Sequence, residues 1–249
     1  MTDHSPVYKN HPEQKGIVIF IHGFMGSPKQ FYGLLDVVYN HGFSVAALLL
    51  PGHGGSAKAF SAGTYESWQS HVNDEIERFS HNCDDIYLVG HSMGGLLALN
   101  ASIKYVDCVN GVYIIASPVI NSKLSLYSVK IRLKQIFSRR NNPIKAVYLE
   151  NSSVSISPGL IWGTIKPSQE LKILIQTARD NLPAVTVPVT AAYSSADELI
   201  SIKNAEILKN ELTRADLTIV FLSNSLHAYY TKQDQLIMEE SMIKMIQSQ

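Results

Sequence analysis

The stretch YLVGHSMGGLLAL, Tyr87 to Leu99, sets a single hydroxyl, Ser92, among three glycines, Gly90, Gly94 and Gly95. DDIYLV before it carries the apolar run IYLV with β-branched Ile86 and Val89, and GLLALNASIKY after it has helical composition, so Ser92 falls on the corner between a strand and a helix. Gly90-His91-Ser92-Met93-Gly94 is a G-x-S-x-G pattern. A residue carrying a β-carbon on so sharp a corner takes a backbone conformation costing about 1–3 kcal/mol. Glycines two before and two after remove the side chains that would collide as the turn closes. The serine oxygen then stands at the carboxyl end of a sheet and the amino end of a helix, where free amides and the helix dipole favour developing negative charge. Alone, five residues of this pattern fit a serine in any glycine-rich turn equally well. The strand before and the helix after favour a nucleophile.

The same alternation continues outward. GIVIFIHG (Gly16 to Gly23) reads as a strand buried on both faces. SPKQFYGLLDVVYNHG reads as a helix with a serine N-cap and a proline at its first position, ending at Gly42. FSVAALLLPGHG gives a strand stopped by Pro51, and Tyr65 to Phe79 a helix, with Trp68, Val72, Ile76 and Phe79 on one face. Beyond the central corner come strand GVYIIASP, strand VTAAY near Val189, a helix from about Leu199 to Leu212, strand LTIVFL and a helix from Lys232 to about Gln247. Strands alternating with helices predict an α/β fold: a mostly parallel sheet with helices on both faces.

Between 120 and 183 the rhythm stops, and a structureless loop of that length is improbable in a compact domain. Leu126, Val129, Leu133 and Ile136 or Phe137 fit one helical face; Leu171, Leu174, Ile175 and Ala178 fit another. The expectation is a small helical cap at 120–183 inserted into a core formed by 1–119 and 184–249.

Composition sets bounds on function. The 249 residues are 45% hydrophobic and 17% charged, enough for a sizeable core. Formal net charge is zero, which argues against nucleic acid as a partner. Cys83 and Cys108 lie in no CxxC or Cys/His spacing, so they read as thiols of a reducing compartment. The N-terminal stretch has no apolar signal-like region, and no apolar run approaches the roughly 20 residues of a membrane span. A cytoplasmic location is expected. Scattered histidines predict neither a metal site nor a cofactor.

A serine hydroxyl needs a base, and the base an orienting carboxylate. Nine histidines are present and only His227 follows Ser92, so a triad in the order serine, acid, histidine must use it. Asp197, just past the strand ending near Tyr193, is the expected acid. The adjacent Glu198 could substitute, but a residue one further on should point elsewhere. Asp180 and Asp216 lie on the wrong side of their strands. Backbone N–H groups of Met93 and Phe24 are the expected oxyanion donors, with Gly23 and Gly26 allowing close approach. His22 and His53 read as loop structure.

HGFMGSPKQF, LPGHGGS, GHSMGG, SSADELI and SLHAYY together resemble the α/β-hydrolase superfamily in order and spacing. More closely, the set is similar to small bacterial carboxylesterases and monoacylglycerol-lipase-like serine esterases. The resemblance covers the chain from about Gly16 onward, the cap only in position and size. It implies Ser92 as nucleophile, His227 as base and then acid, Asp197 as orienter, and a sheet of six or seven strands. One departure stands out: the usual leading strand pair is reduced, at most, to something around Val7 and Tyr8.

The reaction implied is hydrolysis of short- to medium-chain acyl esters or monoacylglycerols through an acyl-enzyme, with a small ester as the partner molecule. Thioesterase, acyltransferase or carbon–carbon hydrolase chemistry would use the same triad, and a non-catalytic ligand-binding protein would use the fold alone. Met25, Leu124, Trp162 and Leu226 are the expected substrate-lining residues, although cap-to-core packing explains such apolar positions equally well. Seven basic residues and no acid lie between Lys123 and Lys145. A solvated helix face is the preferred reading, contact with an anionic membrane surface the other.

Overall fold

The computed structural model describes residues 4–13, 15–81, 85–120, 143–154 and 159–247. Seven strands form one sheet in the order β1-β3-β2-β4-β5-β6-β7. They are β1 (Val7–Lys9), β2 (Ile17–Ile21), β3 (Ser44–Leu48), β4 (Ile86–His91), β5 (Val109–Ile115), β6 (Val189–Ser194) and β7 (Leu217–Leu222). Only β1 runs antiparallel, pairing Val7 with Ala47, so the reduced leading element is a single three-residue strand. β2 and β4 are buried along their whole length, as strands covered on both faces must be.

Eight α-helices accompany the sheet among the described residues: α1 (Tyr32–Asn40), α2 (Ala57–Ser61), α3 (Tyr65–Ser80), α4 (Met93–Lys104), α5 (Pro143–Asn151), α6 (Leu160–Asn181), α7 (Lys203–Glu211) and α8 (Lys232–Gln247). Helices α3, α4 and α6 pack on one another, and α1 packs on α8. None of the helices is long and apolar enough to cross a membrane. In α3, Trp68, Val72 and Ile76 are fully buried, and Thr64 and Ser67 close a capping box at its start.

Some sequence expectations shift. Ser27 does precede a helical turn, but that turn is 3-10 (Pro28–Phe31) and the Ser27 hydroxyl makes no cap bond. Helix α7 starts at Lys203, because Asp197 first spends its carboxylate on the amides of Leu199 and Ile200. The face Leu171, Leu174, Ile175 and Ala178 is buried in the main core. The other expected face, from Leu126 to Phe137, lies outside the described residues.

The glycines of the central corner are fixed by close approach. A Cβ on Gly94 would sit 1.9 Å from the Ile21 carbonyl oxygen, and one on Gly90 would sit 2.4 Å from Gly95. Both clashes are with backbone, which cannot step aside. Gly94→Ala is therefore expected to destabilise by more than about 4 kcal/mol, a fall in Tm of roughly 10 °C or more. Gly33, in α1, has nothing within 4 Å of its would-be Cβ. Gly33→Ala should be neutral or stabilising by up to about 1 kcal/mol. Thermal melts of the two variants side by side check the contrast.

Candidate active site

Ser92 sits between β4 and α4 with φ 52° and ψ −115°, a conformation that costs a non-glycine residue energy. It persists because its surroundings over-determine it. The Ser92 N–H donates to the Ile115 carbonyl of β5 at 2.8 Å, and the Ser92 carbonyl accepts from Gly95 N–H at 3.1 Å. Met93 is the first residue of α4, where an amide has no intrahelical acceptor.

The loop after β2 lies against this corner. A Cβ on Gly23 would come within 3.1 Å of the Ser92 Cβ. The loop is held by Gly26 N–H donating to the Gly23 carbonyl at 2.8 Å and Gly23 N–H donating to Gln30 Oε1 at 3.1 Å. Phe24 follows directly, its ring edge-on to Phe60 at 5.0 Å. His22 latches the loop from below: Nδ1–H donates to the Gly23 carbonyl and Nε2 accepts from Leu50 N–H. Complete burial, reinforced by the nearby His53, pushes its pKa well below the ordinary histidine value, so it stays neutral. His53 also takes a loop role, with Nδ1 against the Pro51 carbonyl at 3.2 Å.

His227 lies on the loop between β7 and α8. Its Nδ1–H donates to Asp197 Oδ2 at 3.0 Å, and the Asp197 side chain is only 1% exposed. Asp197 Oδ1 accepts the amides of Leu199 and Ile200, each at 2.8 Å. Burial works against ionisation of Asp197, but the His227 charge, the ring hydrogen bond and the two amides outweigh it. The carboxyl is held below its ordinary range. A neutral His227 with its proton on Nδ1 carries its lone pair on Nε2, the nitrogen a serine proton would need.

Three contacts around His227 were not anticipated. His91, the residue before Ser92, donates from Nε2 to the His227 carbonyl at 2.8 Å, and the two rings are 4.8 Å apart. The hydroxyl of Tyr230 donates to the same carbonyl at 3.2 Å. The ring bond goes to Asp197, while Glu198 Oε2 accepts the His227 backbone N–H at 3.0 Å. In the first turn of α8, buried Asp234 accepts the amides of Ser223 and Asn224 and the hydroxyl of Ser225. Burial opposes its charge, but those donors prevail and lower its pKa. Thr231 and Asp234 stand in a capping-box spacing at the start of α8, a signal that could have marked Asp234 as structural.

The expected substrate-lining residues diverge. Met25 is buried with Ala57, Phe60, Val154 and Leu160, and its carbonyl accepts Ser153 N–H, so it packs against the stretch between β5 and β6. Trp162 is 76% exposed on α6. Leu226 is half-buried, bridged to Tyr229. Leu124 lies outside the described residues, as does the basic run except Lys145. A cavity of roughly 100 Å³ is lined by His91, Ala228, Tyr230, Gln30 and Leu34 among others.

Residues 12–159 match the family Hydrolase_4, described as serine aminopeptidase, S33. A thermostable monoacylglycerol lipase of Bacillus sp. (strain H-257) is 24% identical over 226 residues, covering 90% of this chain and 88% of that protein. Among solved structures, one described with the metagenome-derived lipolytic enzymes LipS and LipT superposes with a TM-score of 0.79 at 21% identity, covering 98% of both chains. The Paleococcus ferrophilus monoacylglycerol lipase follows at 0.75 and 19%, again over 98% of both. The fold is therefore that of the α/β-hydrolases.

Proposed function

Because the chain belongs to the Hydrolase_4 family, an assignment carried by a match over more than half its length, we propose that it is a serine esterase acting on short- to medium-chain acyl esters or monoacylglycerols. The broader statement, an α/β-hydrolase of the lipase and esterase type acting on carboxylic esters, rests on its relatives. The single observation that best supports a serine-hydrolase mechanism is the Asp197–His227 contact, with the His227 carbonyl tied to the residue beside Ser92.

Ser92 attacks the ester carbonyl as His227 Nε2 takes its proton, and Asp197 steadies the imidazolium that forms. The amides of Phe24 and Met93 receive the oxyanion. His227 then protonates the leaving alcohol and, in the second half-reaction, draws a proton from the water that cleaves the acyl-enzyme. We assign a cap role to the segment 120–183, of which α5 is a described helix, whereas the face of α6 from Leu171 to Ala178 belongs to the main core. The location we assign is cytoplasmic, from cysteines without disulfide spacing; Cys108 is a free thiol.

A fluorophosphonate probe should label the protein at Ser92, and p-nitrophenyl esters should give highest kcat/KM at short to medium acyl length. Absence of labelling overturns the serine-hydrolase reading. A faster reaction with acyl-thioesters than with matched esters replaces the substrate class and keeps the triad.

A further inference from the structure

Resting on the proposed serine-hydrolase reading, we propose that Glu198 is a positioning residue that sets the main chain of His227 and links that setting to the inserted segment through Tyr148. Asp197 and Glu198 are consecutive, yet they grip different parts of the same histidine. Asp197 holds the ring at Nδ1, and Glu198 Oε2 accepts the backbone N–H at 3.0 Å. On the other side, His91 and Tyr230 hold the carbonyl. A carboxylate is a stronger acceptor than the amide or hydroxyl that would suffice for a loop amide, and hydrogen bonds to charged groups are roughly twice as strong.

The second oxygen of Glu198 gives this grip a direction. Oε1 accepts the hydroxyl of Tyr148, a side chain only 2% exposed on α5. α5 enters the chain between β5 and β6, whereas His227 follows β7. One side chain thus bridges the inserted segment and the backbone of the candidate base. If α5 shifts, Glu198 shifts with it, and His227 turns relative to Ser92. Misplacement of a reacting group by about 1 Å costs on the order of 100-fold in rate.

The test uses full-length Glu198→Ala, Glu198→Gln, Tyr148→Phe and the double variant Glu198→Ala/Tyr148→Phe, each assayed well below its own Tm. Glu198→Ala is expected to lower kcat by roughly 10- to 100-fold, within the range for a misaligned group, with KM little changed. Glu198→Gln keeps an acceptor for His227 N–H and should recover most of that loss. Tyr148→Phe should lower kcat about three- to tenfold, the worth of one hydrogen bond, and add nothing in the Glu198→Ala background. The inference is overturned if Tm falls while kcat holds, if the loss appears in KM, or if the two substitutions multiply independently. Wild-type labelling by the fluorophosphonate separates the cases. A labelled wild type with an unimpaired Glu198→Ala variant defeats this inference alone, and an unlabelled wild type defeats the reading beneath it.

Discussion

Ser92→Ala is expected to abolish ester hydrolysis, with kcat reduced by about 10⁴-fold or more, the scale on which triad nucleophiles act. Fluorophosphonate labelling should vanish with it. Stability should not, because alanine keeps the β-carbon and the same φ of 52° on the corner. The hydroxyl is not among the groups that hold the turn: its fixed bonds run through the Ser92 N–H to Ile115 and its carbonyl to Gly95. Ser92→Gly separates strain from chemistry. It removes a conformational cost of about 1–3 kcal/mol and gives back about 0.4–1 kcal/mol through a looser unfolded chain. Chemical denaturation should therefore find Ser92→Gly about 1 kcal/mol more stable than Ser92→Ala, both inactive. Hydrolysis by either variant within tenfold of wild type would remove Ser92 from the mechanism.

Asp197→Asn should lower kcat by roughly 10⁴-fold, the effect of losing the orienting carboxylate in other triads. Its Oδ1 can still accept from Leu199 and Ile200, so the turn survives. The amide NH₂ then faces His227 Nδ1, and the ring must turn its lone pair toward it and its proton to Nε2. That tautomer cannot take a proton from serine. Steady-state kinetics should show the loss in kcat, with KM little altered. Stability adds a second readout. Asp197 is held below its ordinary value of 3.8, so its contribution is complete above that pH and fades as pH falls through the lower, folded value. The unfolding free energy of wild type should exceed that of the variant at neutral pH and converge on it in acid. A parallel pair of curves would contradict the paired carboxylate.

The strands that hold the site were legible because each is a short apolar run between turn residues, and LTIVFL maps onto β7 residue for residue. The break in the strand–helix rhythm between β5 and β6 was legible, and so was the helical face from Leu171 to Ala178, although that face was expected in a cap and packs into the main core. Helix α2 was not: AKAFS is too short to show a period, and it forms because Ser56 caps it and Gly163 of α6 lies against Ala57. The candidate triad of Ser92, Asp197 and His227 was drawn from chain order, and of it the structure shows the contact between Asp197 and His227. The grip on the His227 backbone was not, for a specific reason. His91 occupies an unrestricted position of G-x-S-x-G, and its partner lies 136 residues away. Neighbouring side chains diverge, so Glu198 was expected to leave the ring, but sequence spacing does not say which backbone amide awaits it.

The inserted segment departs after β5 and returns at β6, which are paired neighbours with Val112 beside Val189. Its two ends are thus pinned by the sheet, whatever lies between them. A change of length between β5 and the core-packed face of α6, Leu171 to Ala178, would leave the register of both strands untouched. On the proposed reading, Tyr148 is the contact that any such change must keep compatible with Glu198 and His227.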